Sequence, residues 1–356
     1  MINKIKWFKL IERKAETLIV YQIAAGRRYY DEMLEIKFKP RNIKHENWWY
    51  YLDANEMKQE YIALKQTYEK EPKFFEKLLK KIHKQGKKLV KLADQIIKKV
   101  KTADKNKLRV VFEKYNTALE KFAPVTWVTF TIEKILSDEI KKRLEEIYPN
   151  LSEEDFNNYF LILTTLQKKS ATRLEYETML KIAVEYRRHS LTSEISRKIK
   201  KVYDKFYWLG AVKVGWTYLA EPYNLKYYIN CVKELSKGNP FKELKEMNKK
   251  TANSRKDYKA FIGRSERDKD LINIGRILQE YIFLRTARGE YIVRAMISAK
   301  KLLTEIAKRL NLRLDDVIYF TPKEISRALE TGKLPDFESR KSNYTLIIIG
   351  NNVVLK

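Results

Sequence analysis

The stretch DKDLINIGRILQEYIFLRTARGEYIVRAMISAKKLLTEIAKRLN, residues 268–311, decides the fold class of this chain. Its apolar residues recur at spacings of three and four, as at Ile274, Ile277 and Leu278, and this period is typical of one face of an α-helix. The sequence therefore predicts a long helix here, with a break near Gly289, because glycine is a poor helix former.

The same period continues backwards through most of residues 53–311, and helix start and stop residues divide it into segments. We expect helices beginning at Glu71-Pro72, at Ala103, at Pro124 and at Ser152, further helices over 172–188 and 191–209, and one from Pro222 to Lys237. Long amphipathic segments of this kind predict a mainly α-helical protein with an elongated multi-helix domain.

The two ends of the chain have a different pattern. Residues 33–39 alternate and 47–52 (NWWYYL) are rich in aromatics, which favours strands. Near the other end, 316–320 (DVIYF) is strand-like, a capped helix starts at Thr321, and 344–355 indicates a β-hairpin. We therefore expect a small strand-containing region over 1–52, a helical domain over 53–312 and a short α/β tail over 313–356.

Composition excludes several classes of protein. The 356 residues include 74 Lys and Arg against 46 Asp and Glu, which gives a net charge of +28, and 44% are hydrophobic. Such an apolar fraction argues against disorder, and the single cysteine, Cys231, excludes a disulfide scaffold. No apolar run approaches the roughly 20 residues that cross a bilayer, and the basic N-terminus does not look like a signal peptide. We expect a cytoplasmic protein with no membrane partner, of a composition compatible with a thermophile.

The usual signals of catalysis are missing. His45, His83 and His189 are the only histidines, and they lie far apart without the spacing of a zinc site. The sequence has no GxxxxGK[ST], GxGxxG or GxSxG motif. We therefore expect no catalytic residue, no metal and no cofactor in this chain.

Two arginines interrupt the apolar stripe of the long helix. Projected forward from Leu278, the stripe meets Arg285 and Arg288 before it returns to apolar residues. A lone buried charge is costly, so each guanidinium needs either a carboxylate of the fold or an anionic ligand. We favour an internal ion pair, by about two to one, because structural networks perturb charges as often as sites do. Its candidate acids are Glu175, Glu177 and Glu185, all upstream in the helical domain.

Aromatic residues concentrate between positions 203 and 223. Trp208, Trp216 and Tyr218, with Lys213 between them, form a patch of the kind that stacks a planar ligand or a base. A helix junction packed with rings is the more probable interpretation. The patch therefore stays a ligand-binding candidate of second rank.

A lysine-rich face extends over residues 77–107. It lacks interleaved aromatics and any recognisable nucleic-acid-binding motif, so a solvated helix face is the favoured interpretation. Because charge alone attracts phosphates, a basic helical nucleic-acid-binding protein remains an alternative.

The run LRTARGEYIVRAMISAKKLLTEIAKRLNLRLDDVIYFTPKEISRALETG, residues 284–332, resembles a segment of the PEP-utilising enzymes, which include PEP synthase, pyruvate phosphate dikinase and rifampicin phosphotransferase. In that family, a helix with an LR…R pattern leads through DDVIYFTPKEI to a short helix, a hairpin and the swivelling phosphohistidine domain. The matching positions are Arg285, Arg288, Leu302, Leu303, Ala307, Leu310, Asp316, Tyr319, Thr321, Pro322, Glu324 and Ile325.

The resemblance implies the helical middle of such an enzyme rather than its chemistry. None of the three histidines has the Gly/Ser-rich context of the family's phosphohistidine, and the ATP-grasp and PEP-binding parts have no counterpart here. It implies a non-catalytic substrate-binding or scaffolding component that acts with a separately encoded swivelling domain. A further alternative is a subunit of a split phosphotransferase in which Arg285 and Arg288 hold a phosphoryl group.

Overall fold

The structure, a computed structural model, describes residues 5–100, 103–264 and 268–356. The first four residues of the predicted N-terminal region and two positions of the predicted lysine face lie outside the described residues. Helices make up most of the described chain, which confirms the mainly α-helical class. They are α1 Thr17–Ala25, α2 Tyr30–Leu34, α3 Ala54–Lys70, α4 Phe74–Val100, α5 Lys105–Phe122, α6 Val125–Ile147, α7 Glu153–Thr164, α8 Ala171–His189, α9 Ser193–Phe206, α10 Leu209–Val214, α11 Leu225–Lys237, α12 Pro240–Arg264, α13 Lys269–Arg309, α14 Leu314–Val317 and α15 Pro322–Thr331.

A single antiparallel sheet joins the two ends of the chain. Its strands are β1 Trp7–Glu12, β2 Asn42–Glu46, β3 Trp49–Asp53, β4 Leu346–Ile349 and β5 Asn352–Leu355, in the order β1-β3-β2-β4-β5. The β2–β3 turn has positive φ at Asn47 and Trp48, 49° and 66°, as a two-residue hairpin of matching twist requires. At the other end of the sequence, β4 and β5 pair as the predicted C-terminal hairpin, and β4 also pairs with β2.

Local start signals are confirmed where side chains cap helices. Ser152 accepts a hydrogen bond from the backbone N–H of Asp155 at 3.1 Å at the start of α7. At α15, the Thr321 backbone N–H donates to Glu324 at 2.7 Å and the Glu324 N–H donates back to the Thr321 hydroxyl. Gly332 ends that helix in the left-handed region at φ 74°. Capping boxes predict boundaries well because they satisfy groups that the helix itself leaves unpaired.

Three local predictions are wrong. Residues 33–39 form the end of α2 and a loop, because Met33 and Leu34 are buried side by side and Glu35 ends the helix at φ 59°. Residues 316–320 form the short helix α14 and a turn, held where Asp316 accepts from the backbone N–H of Arg313 at 2.9 Å. The break predicted near Gly289 is absent, since α13 continues through it.

The described residues form two compact units, each assembled from separate parts of the chain. The first comprises Met1–Ile132, Ala211–Ala220 and Ala287–Lys356, and the second Glu133–Gly210 and Glu221–Thr286. The domain boundaries expected from the sequence, at 52/53 and 312/313, stay a prediction.

The core of the first unit contains helix α1, every residue of which is buried, and the inner face of the sheet, with Ile43, Tyr50 and Ile348. In the second unit, α8 packs against α9 and α11 around buried residues such as Leu180 and Val232. Within the described ranges, no helix combines the length and apolar character that a bilayer crossing requires.

Candidate functional site

A cleft of about 530 Å³ opens in the first unit between α1, the β2–β4 pair and the start of α15. Its floor is apolar, with Ile43 and Ile348 from neighbouring strands. Its lining contains no carboxylate and contains five cationic side chains, Arg27, Arg28, Lys39, Arg41 and Lys323. Such an accumulation of one sign of charge in a concave site is typical of an anion-binding site.

The first two cations are positioned by a glycine. Gly26 begins a short 3-10 turn, Gly26–Tyr29, directly after α1. A Cβ at Gly26 would overlap Ala123 at the end of α5, so only glycine allows this close approach. The approach brings Arg28 to Glu120 of α5, with which it forms an ion pair.

A chain of buried hydrogen bonds leads away from this ion pair into the core. Asn116 donates to Glu120 at 2.9 Å and accepts from the side chain of Gln22 at 3.0 Å. Gln22 in turn accepts from the hydroxyl of Tyr218 at 2.8 Å, and that hydroxyl also lies 2.9 Å from the hydroxyl of Tyr115. Because each member fixes the next, the carboxylate that orients Arg28 is itself held rigidly.

Burial raises the pKa of Glu120 above its ordinary value, while the neighbouring Arg28, Asn116 and Lys323 oppose that rise. The guanidinium that remains half-exposed at the cleft is therefore fixed by a buried acid whose charge depends on its basic neighbours. An anion that binds Arg28 competes with Glu120 for the same cation.

One carboxylate, Glu56, organises Arg27 and the loop that carries Arg41. Glu56 accepts from the Arg27 guanidinium at 3.2 Å and from the backbone N–H groups of Arg41 and Asn42 at 2.8 and 3.0 Å. These bonds hold the loop before β2 at the edge of the cleft. Arg27 is only 3% exposed, and its Nε and Nη1 have no hydrogen-bond partner within the described residues.

A buried glutamate completes the environment of that arginine. Glu60 accepts from the hydroxyls of Tyr30, at 3.0 Å, and Thr131. Burial raises the pKa of Glu60, and Arg27 and the two hydroxyls oppose the rise. Arg27 is therefore a structural cation of the cleft wall, shared electrostatically between two acids.

Lys39 pairs with Asp31 at 3.2 Å on the surface. The remaining two of the five cations are Arg41 and Lys323. In the part of the chain that the structure describes, no carboxylate lies within ion-pair distance of the exposed side chains of Arg41 or Lys323. Lys323 stands at the second position of α15, where the helix N-terminus adds partial positive charge. Arg41 and Lys323 are therefore two exposed cations of one cleft that form no ion pair within the described residues, and such a pair complements a phosphoryl dianion.

The arginines singled out in the sequence lie elsewhere. Arg285 belongs to the second unit and is 49% exposed, with Glu133 at 3.1 Å, so its predicted place on the buried stripe is wrong. The buried stripe of α13 passes through Tyr281, Leu284 and Arg288, and Leu284 rather than Arg285 lies on the buried side. Arg288, in the first unit, is buried, donates to the backbone carbonyl of Val125 at 3.3 Å and lies 4.7 Å from the Phe130 ring centre.

The three acids proposed as their partners are engaged with other residues. Glu175 accepts from the hydroxyl of Tyr228 at 2.6 Å, and Glu177 pairs with Arg173 at 2.9 Å. Glu185 pairs with Lys198 at 2.6 Å. Arg285 thus forms an ion pair within the chain, but at an exposed position and with Glu133 instead of the three glutamates proposed.

The aromatic candidates do not form one patch within a unit. Trp208 is buried in the second unit and donates to the backbone carbonyl of Lys205 at 2.9 Å. In the first unit, Trp216 packs on an apolar cluster, Tyr218 belongs to the buried hydrogen-bond chain, and Lys213 is exposed. The cleft is lined by other residues, so these four stay a prediction without geometric support.

Sequence reasoning missed the residues of the cleft. The tripeptides GRR at 26–28, directly after the apolar helix α1, and KPR at 39–41, directly before β2, were the available signals. Nothing in either tripeptide indicates that they meet Lys323 from the other end of the chain. Within the described residues, no group of histidine, cysteine and acidic side chains could hold a metal ion.

Neither a family model nor a curated protein matches this chain in the comparisons with known proteins.

Proposed function

We propose that this chain is a non-catalytic binding component, similar to the helical middle of PEP-utilising phosphotransferases, that docks a phosphorylated partner in the basic cleft. The partner is a separately encoded swivelling domain that carries a phosphohistidine. The observation that carries the proposal is the pair Arg41 and Lys323, two cations in one cleft without a carboxylate partner among the described residues. A cytoplasmic location belongs to the same proposal.

The chemistry of the cleft supports binding rather than turnover. A guanidinium offers a planar pair of donors to phosphoryl oxygens, and an ammonium adds a point charge. The lining supplies cations and an apolar floor, but no carboxylate to act as a general base. A phosphohistidine held there keeps its phosphoryl group for a reaction centre on another protein.

The split-phosphotransferase alternative requires Arg285 and Arg288 to hold one phosphoryl group. One of them is exposed and paired with Glu133, and the other is buried against Phe130. Their environments therefore give this alternative less support than the cleft gives to docking.

The proposal is tested with a histidine peptide phosphorylated by phosphoramidate, compared with the same peptide before phosphorylation. Fluorescence polarisation should detect binding of the phosphorylated form only. The double substitution Arg41→Gln with Lys323→Gln should weaken binding by at least about tenfold, because each lost charge-assisted contact is worth about 1.5–3 kcal/mol.

A matched control separates the cleft from general charge. Lys226→Gln with Lys233→Gln removes the same two charges from exposed positions of α11 in the second unit and should leave affinity within about twofold. Equal binding of both peptide forms, or equal loss in both double variants, would rule out docking through the cleft.

A further inference from the structure

The outer face of the sheet presents aromatic rings and lysines that no part of the cleft uses. Trp7, Trp49 and Tyr51 lie on this face and are only partly buried, whereas Tyr50 and Leu52, which point the other way, are buried. Large aromatic rings that stay partly exposed on a sheet face offer a surface on which planar groups can stack. Like the basic cleft, these partly exposed rings are a feature that packing within the fold does not explain.

Strand register aligns two lysines with one of these rings. Lys9 of β1 and Lys44 of β2 both lie opposite Tyr51 of β3, one on each side. The same row continues from Lys44 to Ile347 of β4 and on to Val354 of β5. With strands about 4.8 Å apart, the row crosses roughly 19 Å of surface.

The lysines lie against the rings. The Lys9 ammonium is 3.8 Å from the ring centre of Trp49, and the Lys44 ammonium is 4.5 Å from that of Tyr51 and 5.8 Å from that of Trp7. Cation–π contacts of this kind orient a ring and keep a positive charge beside it. A polymer with planar bases and negatively charged phosphates can use both groups, with its bases on the rings and its phosphates on the ammonium groups.

Three carboxylates belong to the strands of this face. Glu12 and Glu46 both lie opposite Trp49, and Glu46 pairs with Lys44 at 2.8 Å. Asp53, opposite Trp7, is buried as the cap of α3. The Lys9–Tyr51–Lys44 row itself contains no carboxylate, so a polyanion bound there meets Lys9 directly and competes with Glu46 for Lys44, on a chain whose net charge is +28.

We infer that this outer face binds single-stranded nucleic acid, with a base stacked on Tyr51 and its flanking phosphates on Lys9 and Lys44. The site is separate from the cleft, because the cleft uses Ile43 and Ile348, which point to the opposite face of the same strands. A duplex keeps its bases stacked inside and offers the rings nothing, so single strands should bind more tightly.

The experiment measures the quenching of tryptophan fluorescence by an oligothymidylate of about twelve nucleotides, a length within the site sizes of known single-strand binders. Two phosphates contacted by two lysines predict a slope of log affinity against log salt of about −1.4. Tyr51→Ala should weaken binding by about tenfold, since stacking on one ring is worth about 1–3 kcal/mol per base. Lys9→Gln with Lys44→Gln should weaken binding and flatten the slope towards zero.

Controls separate this face from the cleft and from misfolding. Arg41→Gln with Lys323→Gln should leave oligothymidylate binding unchanged, so the failure of one proposal does not imply the failure of the other. Lys226→Gln with Lys233→Gln should also leave it unchanged, and far-UV circular dichroism checks that each variant is folded.

Three results would overturn the inference. The first is equal affinity for duplex and single strand. The second is a salt slope several times steeper than the predicted one that the Lys9 and Lys44 substitutions do not change. The third is the absence of binding. The oligonucleotide could fail to bind while a phosphohistidine protein slows hydrogen exchange in Trp7–Glu12 and Trp49–Asp53. In that case the face binds a protein partner instead of a nucleic acid.

Discussion

Lowering the pH from 7 to 5 should destabilise the first unit through His45. This side chain lies on the inner face of the sheet, 1% exposed, stacked on Tyr344 with ring centres 5.4 Å apart and edge-on to Tyr50 at 4.8 Å. Its Nε2 donates to the backbone carbonyl of Arg13 at 3.3 Å, and its Nδ1 is buried without a partner within the described residues. A proton on Nδ1 would therefore be a buried, unpaired donor.

The size of the effect follows from the pKa. Burial lowers the pKa of His45 from 6.5 to about 4, so the unfolded chain takes up the proton first as the pH falls. The stability that the neutral ring contributes is complete above pH 6.5 and is lost as the pH falls towards 4. At about 1.36 kcal/mol per pKa unit, the loss is about 2 kcal/mol at pH 5 and about 3 kcal/mol well below pH 4.

Urea unfolding followed by tryptophan fluorescence, repeated between pH 7 and pH 4.5, measures this loss. The variant His45→Gln keeps an N–H donor for Arg13 but cannot titrate, so the difference between wild type and variant isolates the ring. The subtraction is needed because burial raises the pKa values of Glu60 and Glu120, which oppose the trend by favouring the folded state as the pH falls.

The exposed His189 provides a matched control. His189→Gln removes a histidine outside the core, and an equal pH-dependent difference in both variants would show that the effect is not specific to the buried ring. The reasoning about burial would be refuted if the difference in unfolding free energy between wild type and His45→Gln stayed constant from pH 7 to pH 4.5.

Five further substitutions at four positions test packing, ion pairing and helix capping. Gly86→Ala should lower the unfolding free energy by about 1–3 kcal/mol, measured by urea denaturation, because the new methyl group would overlap the ring of Tyr291. Arg285→Gln should cost less than about 1 kcal/mol as an exposed ion pair, whereas Arg288→Ala should cost about 2–4 kcal/mol, and similar losses would contradict their different burial. Thr321→Ala should cost about 1 kcal/mol in thermal unfolding through the lost capping box, and Thr321→Ser should restore most of it.

Helices were predictable because their signals are local. The α15 start at Thr321 needed only four consecutive residues, and the long period of 268–311 needed only a count of apolar positions. Errors arose where burial came from elsewhere. The segment 316–320 has the residues of a strand, but Val317, Ile318 and Phe320 are buried around a helical turn that Asp316 caps.

The two arginines show the same limit. The expected break at Gly289 is missing because one glycine within a 41-residue helix costs only about 1 kcal/mol, which the packed remainder supplies. Arg285 lies on the exposed side of the same helix because Leu284 takes the buried position beside it, and it meets Glu133, an acid that sequence spacing gave no reason to choose over the three proposed.

The cleft and the outer face both depend on one long-range pairing. In the β2–β4 pair, Ile43 lies opposite Ile348 and Lys44 opposite Ile347, so the first pair forms the floor of the cleft and the second belongs to the lysine row. Because side chains alternate, a slip of one residue would exchange the two faces and dismantle both sites.

The dependence on the β2–β4 pairing also decides which of the positive charges lie close together. Among the described residues, most of the Lys and Arg side chains lie on the exposed faces of amphipathic helices, as the local sequence pattern predicts. Arg41 and Lys323 differ because they lie near opposite ends of the chain and share one cleft only after the C-terminal strands have paired with the N-terminal ones. The positive charge of the proposed binding cleft is therefore assembled by folding, and a count of residues cannot reveal it.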